Sequence, residues 1–373
     1  MKNETHRLGD YIRDVNVRNR ELRVTKLVGL TIDKAFIPSV ANVIGTDLSN
    51  YKVICREQFA CSLMQVSRDG KMPVAMFEED EAIMSPAYPL FEVIDKSKLL
   101  PQYLMMWFSR SEFDREASYY AVGGVRGSLT WEDFCNMQLP VPSIERQREI
   151  VSEYETLTCR IRLNEQMIEK LEATAQALYR KTFVDNIDKQ NLPDGWRIGP
   201  LSELADIIMG QSPDGETYNM EGEGMIFYQG RADFGNRFPT PRVYTTDPTR
   251  YAKEGDILLS VRAPVGDINI APHGCCIGRG LAALRSKNNC QSYLFYQMLE
   301  LEHVFNISDD DGTVFGSINK EDLYNIEVVI PTTQEMSLFE KQAFVIDKEI
   351  KLKDKENNIL TELQSLLLAK MGQ

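Results

Sequence analysis

The sequence predicts an α+β protein. Two similar β-rich α/β globular domains are separated by a pair of long antiparallel coiled-coil helices, and the whole is a pseudo-two-fold internal repeat. Three observations predict it. Along residues 143–185, apolar side chains recur in alternating steps of four and three, at Ile150, Tyr154, Leu157, Ile161, Ile168, Leu171, Ala175 and Leu178, with Asn164 in the one missing position. That pattern is a heptad seam. Next, Ser128, Glu132, Asp133, Asn136 and Pro142 reappear 189 residues later as Ser317, Glu321, Asp322, Asn325 and Pro331. Finally, short apolar runs of strand composition, broken by glycine and proline, fill the stretch before each helix.

The elements follow in order: residues 1–142 are a first globular domain, 143–186 a central long helix, 187–332 a second globular domain and 333–373 a C-terminal long helix. Within the first, residues 1–30 are rich in Lys and Arg, which suits either a solvated surface or DNA contact. Leu8–Ile12 can open as a short helix or a strand, and Val53–Cys55, Phe59–Leu63, Val74–Met76 and Ile83–Ser85 read as strands. Asp69-Gly70 is a hairpin-like turn signal. Residues 99–109 read as a short helix opened by Pro101. Gly123–Ser128 is a glycine-rich turn without the spacing or Lys of a phosphate-binding loop. In the second domain Leu201–Ala205 reads as a helix, Met225–Tyr228, Asp256–Arg262, Ile268–Ala271 and Leu281–Leu284 as strands, and Tyr293–Leu301 as a helix. Asp309–Gly312 reads as an exposed acidic loop, since it lacks the ligand spacing of a calcium loop.

Each long helix of about 40 residues would be about 60 Å long and needs a partner. The 189-residue offset carries the central seam onto Phe339, Ala343, Ile346, Ile350, Leu360 and Leu367. In an antiparallel pair, setting Asn164 opposite Asn357 lets two buried amides bond each other instead of facing apolar groups. Ile161 then meets Leu360, Leu171 meets Ile350, Ile150 meets Met371, and Ile168 meets the stem of Lys353.

Composition narrows the function. The chain has 373 residues and a net charge of −13, which argues against a non-specific nucleic-acid coat but leaves room for sequence reading by a few arginines on loops. Seven scattered cysteines and three histidines form no zinc spacing, so no metal is expected and the thiols read as reduced and structural. No apolar run reaches the ~18 residues that span a bilayer, and a cytoplasmic protein is expected. The sequence has no Walker motif, no glycine-rich S-adenosylmethionine loop and no Asn/Asp-Pro-Pro-aromatic tetrapeptide. Glu349-Ile350-Lys351 has a nuclease-like spacing but reads as a solvated face of the coiled coil.

Leu192-Pro193-Asp194-Gly195-Trp196, Ser260-Val261-Arg262-Ala263-Pro264-Val265-Gly266 and Ile277-Gly278-Arg279-Gly280-Leu281 carry a resemblance, as do Pro140-Val141-Pro142-Ser143 and Gln147-Arg148-Glu149-Ile150-Val151. With the duplicated layout, they make the chain resemble a specificity subunit of type I restriction–modification systems. The first domain departs from the pattern, with Cys61-Ser62-Leu63-Met64-Gln65 where the Ser-Val-Arg-Ala-Pro run would stand, and Thr332-Thr333-Gln334-Glu335 replaces the usual glutamine-rich approach to the second helix. The resemblance implies that each globular domain reads one half of a bipartite double-stranded DNA target and that the helices set the spacing and dock modification subunits. It also implies no catalysis by this chain: S-adenosylmethionine, with ATP and Mg for cleavage, belongs to the modification subunits and the ATP-dependent restriction subunits. A coiled-coil adaptor with two ligand-binding domains and no DNA is the alternative. Major-groove reading favours Arg to guanine and Gln to adenine. The candidates on loops are Gln65, Arg68, Lys71 and Arg126 in the first domain, and Gln229, Arg231, Arg262 and Arg279 in the second. For each, a surface ion pair or a phosphate contact is the competing reading.

Overall fold

The structure is a computed structural model that describes residues 5–39, 45–64, 66–122, 127–301, 305 and 317–372. Two long helices run Ile144–Phe183 and Thr333–Lys370. The chain divides into two compact units. The first is residues 1–164 with 355–373, and the second is residues 165–354, so each unit takes a globular region and a segment of both helices. Among the described residues, no helix is long and apolar enough to cross a membrane.

The first unit holds a four-stranded antiparallel sheet in the order Ile12–Val15, Leu90–Val93, Phe59–Cys61, Val74–Met76. Strand Thr5–Arg7 pairs with Gln138–Pro140, immediately before the central helix. The core is an aromatic cluster in which Phe91 touches the rings of Phe59, Phe108, Trp131 and Phe134. Ile150 and Val151 of the central helix join it, as does Met371, just past the end of the C-terminal helix.

The second unit repeats this strand order: Ala205–Met209, Leu281–Ser286, Ile257–Ser260, Ile268–Ile270, again antiparallel. Arg197–Pro200 pairs with Glu327–Ile330 just before the C-terminal helix, as its counterpart does in the first unit. The duplication inferred from sequence therefore extends to strand order. Outside these sheets the units differ: the first has two-stranded pairs where the second has a five-stranded sheet. In the first, Lys52–Cys55 runs antiparallel to Glu81–Met84, whereas in the second Met225–Tyr228 runs parallel to Cys275–Ile277.

Two local expectations give way. Asp69-Gly70 is not a tight two-residue turn: it lies in the longer connection between the antiparallel strands Phe59–Cys61 and Val74–Met76, where Val66–Asp69 forms one helical turn ended by Gly70 N–H donating to Val66 O. Leu201–Glu203 is a single 3-10 turn, after which the chain enters strand Ala205–Met209. A run this short is below the length of a stable helix, and the sheet it feeds decides it. Asp309–Gly312 lies outside the described residues.

The seam positions are all buried or half-buried, from Ile150, Tyr154, Leu157, Ile161, Asn164, Ile168, Leu171 and Leu178 to Ile346, Ile350, Asn357, Leu360 and Leu367. In the first unit Asn164 Nδ2 donates to Asn357 Oδ1 at 2.9 Å, the pairing set by the sequence register. Gln364 donates to Thr158 at 2.7 Å, and Arg160 meets Glu356 at 2.6 Å. In the second unit Phe339 packs on Tyr179 and Phe183 at 5.5 and 5.6 Å between ring centroids, so the helices are antiparallel there too.

Candidate nucleic-acid interface

Strand direction builds the site in the second unit. Because Met225–Tyr228 and Cys275–Ile277 are parallel, their C-terminal ends emerge side by side. Gly278 N–H donates to Tyr228 O at 2.8 Å, which places Gln229 against the Gly278–Gly280 turn. Because Ile257–Ser260 is antiparallel to Leu281–Ser286, its exit emerges at that same turn. Val261 N–H donates to Gly280 O at 2.9 Å, so Arg262 and Arg279 lie at one end of the sheet.

The packing there is tight. A Cβ on Gly280 would stand 2.7 Å from Gln229 O, and one on Gly210 would stand 2.1 Å from Gly278 O. Only glycine lets these backbones approach so closely. Gly210 and Gln211 donate to Leu281 O and Ile277 O, and Ser212 Oγ accepts from Arg279 N–H at 3.3 Å. Thr249 Oγ1 donates to Gln211 O at 2.6 Å, and Arg250 O accepts from Ile277 N–H. The buried Asp233 carboxylate accepts from Gln229 N–H at 2.7 Å and from Arg242, holding the Gln229 loop in place.

Gln229, Arg231, Arg262 and Arg279 are all exposed and are brought together by this loop cluster. Their bonding separates them. Arg231 is held by Asp267 at 2.7 Å. Among the described residues, Arg262 and Arg279 make no ion pair, and their guanidinium groups stand free. In a chain of net charge −13, arginines unpaired among the described residues gather on one loop cluster. The same end also carries Gln211 and Arg250, exposed residues that sequence reading passed over because they join the site only through non-local bonds.

The first unit's candidates fare differently. Arg68 is clamped by its neighbour Asp69 through two bonds, at 2.6 and 3.1 Å. Lys71 pairs with Asp33 at 3.1 Å. Gln65 and Arg126 lie outside the described residues. Ser67 Oγ donates to Gly127 O at 3.5 Å, so the turn after Arg126 meets the Val66–Asp69 helix. From the basic N-terminal stretch, Arg13, Arg23 and Lys26 pair with Glu92, Glu81 and Glu79.

The helices present a second surface. Along the C-terminal helix, Leu338, Val345, Leu352, Ile359 and Leu366 recur every seven residues and are between 52% and 66% exposed. An open groove of about 480 Å³ in the first unit is lined by Leu157, Leu363, Leu366 and Leu367. A heptad stripe left in solvent has the spacing of a helix-packing face.

Among the described residues, no group of His, Cys, Asp or Glu side chains is arranged to hold a metal ion.

Comparison with known proteins finds the duplication as well. The type I restriction modification DNA specificity domain matches residues 66–173 and again 193–370. A putative type I restriction enzyme MjaX specificity subunit of Methanocaldococcus jannaschii is 30% identical, over 93% of this chain and 84% of its own length. The type I restriction enzyme HindI specificity subunit of Haemophilus influenzae is 20% identical, over 78% of this chain and 81% of its own. The crystal structure of the type I restriction–modification S subunit from M. genitalium superposes with a TM-score of 0.63 at 13% identity. It covers 99% of this chain and 95% of the other, a likeness of fold. Specificity subunits are the non-catalytic components of restriction–modification complexes, and with a duplicated DNA specificity domain along its length this chain belongs to that family.

Proposed function

We propose that each globular unit reads one half of a bipartite double-stranded DNA target, and that in the second unit the reading face is the loop cluster of Gln229, Arg231, Arg262 and Arg279. The observation that carries this is the convergence of free guanidiniums at one sheet end of an acidic chain. Arg can bond guanine bidentately and Gln can do the same to adenine. The long helices set the gap between half-sites. Their exposed heptad stripe docks helices of the modification subunits, which bring S-adenosylmethionine. Restriction subunits using ATP and Mg join through that complex, and the assembly works in the cytoplasm.

The test is a swap of residues 192–331 for those of a relative, followed by methylome sequencing of cells that also carry the modification subunits. One half of the split motif should change and the other stay. A change in both halves, or no split motif dependent on this chain, would refute the reading.

A further inference from the structure

The loop cluster contains two polar side chains that no motif singles out. Gln211 lies between the arginines: its N–H donates to Ile277 O at 3.1 Å, its carbonyl accepts from Thr249, and the next residue, Ser212, accepts from Arg279 N–H. Arg250 follows Thr249 and leads into Tyr251–Ala252, the edge strand of the second unit's five-stranded sheet. Both are exposed, and among the described residues neither side chain has a hydrogen-bond or ion-pair partner. Of the other cations on these loops, Arg231 and Arg242 are neutralised by Asp267 and Asp233. Among the described residues, the cations of these loops without an ion pair are thus Arg250, Arg262 and Arg279, with Gln211 wedged between the loops that carry the first and the last.

We infer that Gln211 and Arg250 belong to the DNA-contacting set of the second unit, an assignment that rests on the reading face proposed above. Position divides their roles. Gln211 stands inside the ring of loops, carries both a donor and an acceptor, and reads a base edge. Arg250 stands on the sheet's edge and neutralises a phosphate of the flanking backbone. Phosphate contacts fix orientation without reading sequence, whereas base contacts specify.

The two roles give different measurements. The complex with modification subunits is titrated with its target duplex and with a scrambled duplex across a range of salt, using Arg250→Ala, Arg250→Lys and Gln211→Ala. Arg250→Ala should weaken both duplexes together and lower the slope of log affinity against log salt by about 1, while Arg250→Lys keeps the slope. Gln211→Ala should keep the slope and reduce discrimination about tenfold at one base pair of the second half-site. An unchanged slope in Arg250→Ala overturns the phosphate contact, and unchanged discrimination at every position in Gln211→Ala overturns the base contact. Arg262→Ala and Arg279→Ala are run alongside. If they weaken binding and the other two do not, the inference fails and the reading face stands. If none of the four does, the reading face fails with it.

Discussion

The two units keep one strand order and anchor it to the helix pair in different ways. In the second, aromatic side chains do the anchoring. Phe339 of the C-terminal helix packs among Tyr179, Phe183, Tyr293 and Tyr296, and Tyr179 Oη donates to Gln297. Arg237, almost wholly buried, stacks on Phe295 and bridges Glu172 of one helix to Asp347 of the other. In the first unit the ring-on-ring cluster stays within the globular core; the central helix adds Ile150, Val151 and the half-buried Tyr154, and Met371 joins from just past the C-terminal helix. Polar layers, Asn164 on Asn357 and Gln364 on Thr158, hold its helix pair in register. The difference teaches that duplication preserved the strand order of the four-stranded sheet, while the helix contacts were free to diverge, because any well-packed solution of similar volume supports the same backbone.

The caps of the adjoining helices diverge as well. In the first unit the buried Gln147 amide accepts from Leu100 N–H at 2.9 Å, at the start of helix Pro101–Phe108, and donates to Lys98 O and Pro142 O. In the second, the Glu340 carboxylate accepts from Ser292 and Tyr293 N–H at the start of helix Gln291–Glu300. Burial pushes the Glu340 pKa above the usual carboxylate range, although those two backbone donors pull it down.

The aromatic plug is the contrast easiest to break. Phe339→Ala removes a ring that touches four others and should cost about 3–5 kcal/mol of the second unit's stability. Hydrogen exchange should quicken in residues 291–300 and 333–354 and stay unchanged in residues 101–121. Faster exchange in both units would show that the anchoring is not local. A smaller effect is expected from the polar layer. Asn357→Leu leaves the buried Asn164 amide without its partner, at a cost of about 1–3 kcal/mol to the first unit. Adding Asn164→Leu should return most of that, since removing both partners of a buried bond is nearly neutral. A double variant as unstable as the single would show that the pair is not coupled.

The smallest effect sharpens the comparison of caps. A carboxyl whose pKa is raised in the folded state contributes stability that is complete below its unfolded pKa and is lost as pH rises through the folded one. Between the ordinary glutamate range and the raised value, the second unit should therefore lose stability with rising pH. Glu340→Gln should flatten that part of the profile and leave the first unit's unchanged. An identical profile in wild type and variant would remove Glu340 as the source.

The helix seam was readable from sequence because seven-residue periodicity needs no tertiary information, and two asparagines that must avoid apolar partners fix a register. The strand order of each unit was less so, since which run pairs with which depends on contacts distant in the chain. Arg262 and Arg279 were readable as residues at strand ends beside glycine turns. That they meet, with Gln229 beside them, depends on the parallel pairing of Met225–Tyr228 with Cys275–Ile277, which no local pattern announces. Arg68 and Lys71 looked equivalent to them in sequence, yet Asp69 and Asp33 neutralise them. The second heptad set, from Leu338 to Leu366, was present in the sequence throughout, but tracing one seam assigns the remaining face to solvent.

That second set has a consequence for how the cell handles the chain. Five apolar side chains in water, one every two turns, are a standing invitation to self-association and to chaperones that bind exposed apolar helix faces. Under the docking proposed above, a chain made in excess of the modification subunits would be held, aggregated or degraded, so its steady-state level should follow theirs. The stripe would thereby act as a quality check on stoichiometry: copies that persist are the copies that have been covered.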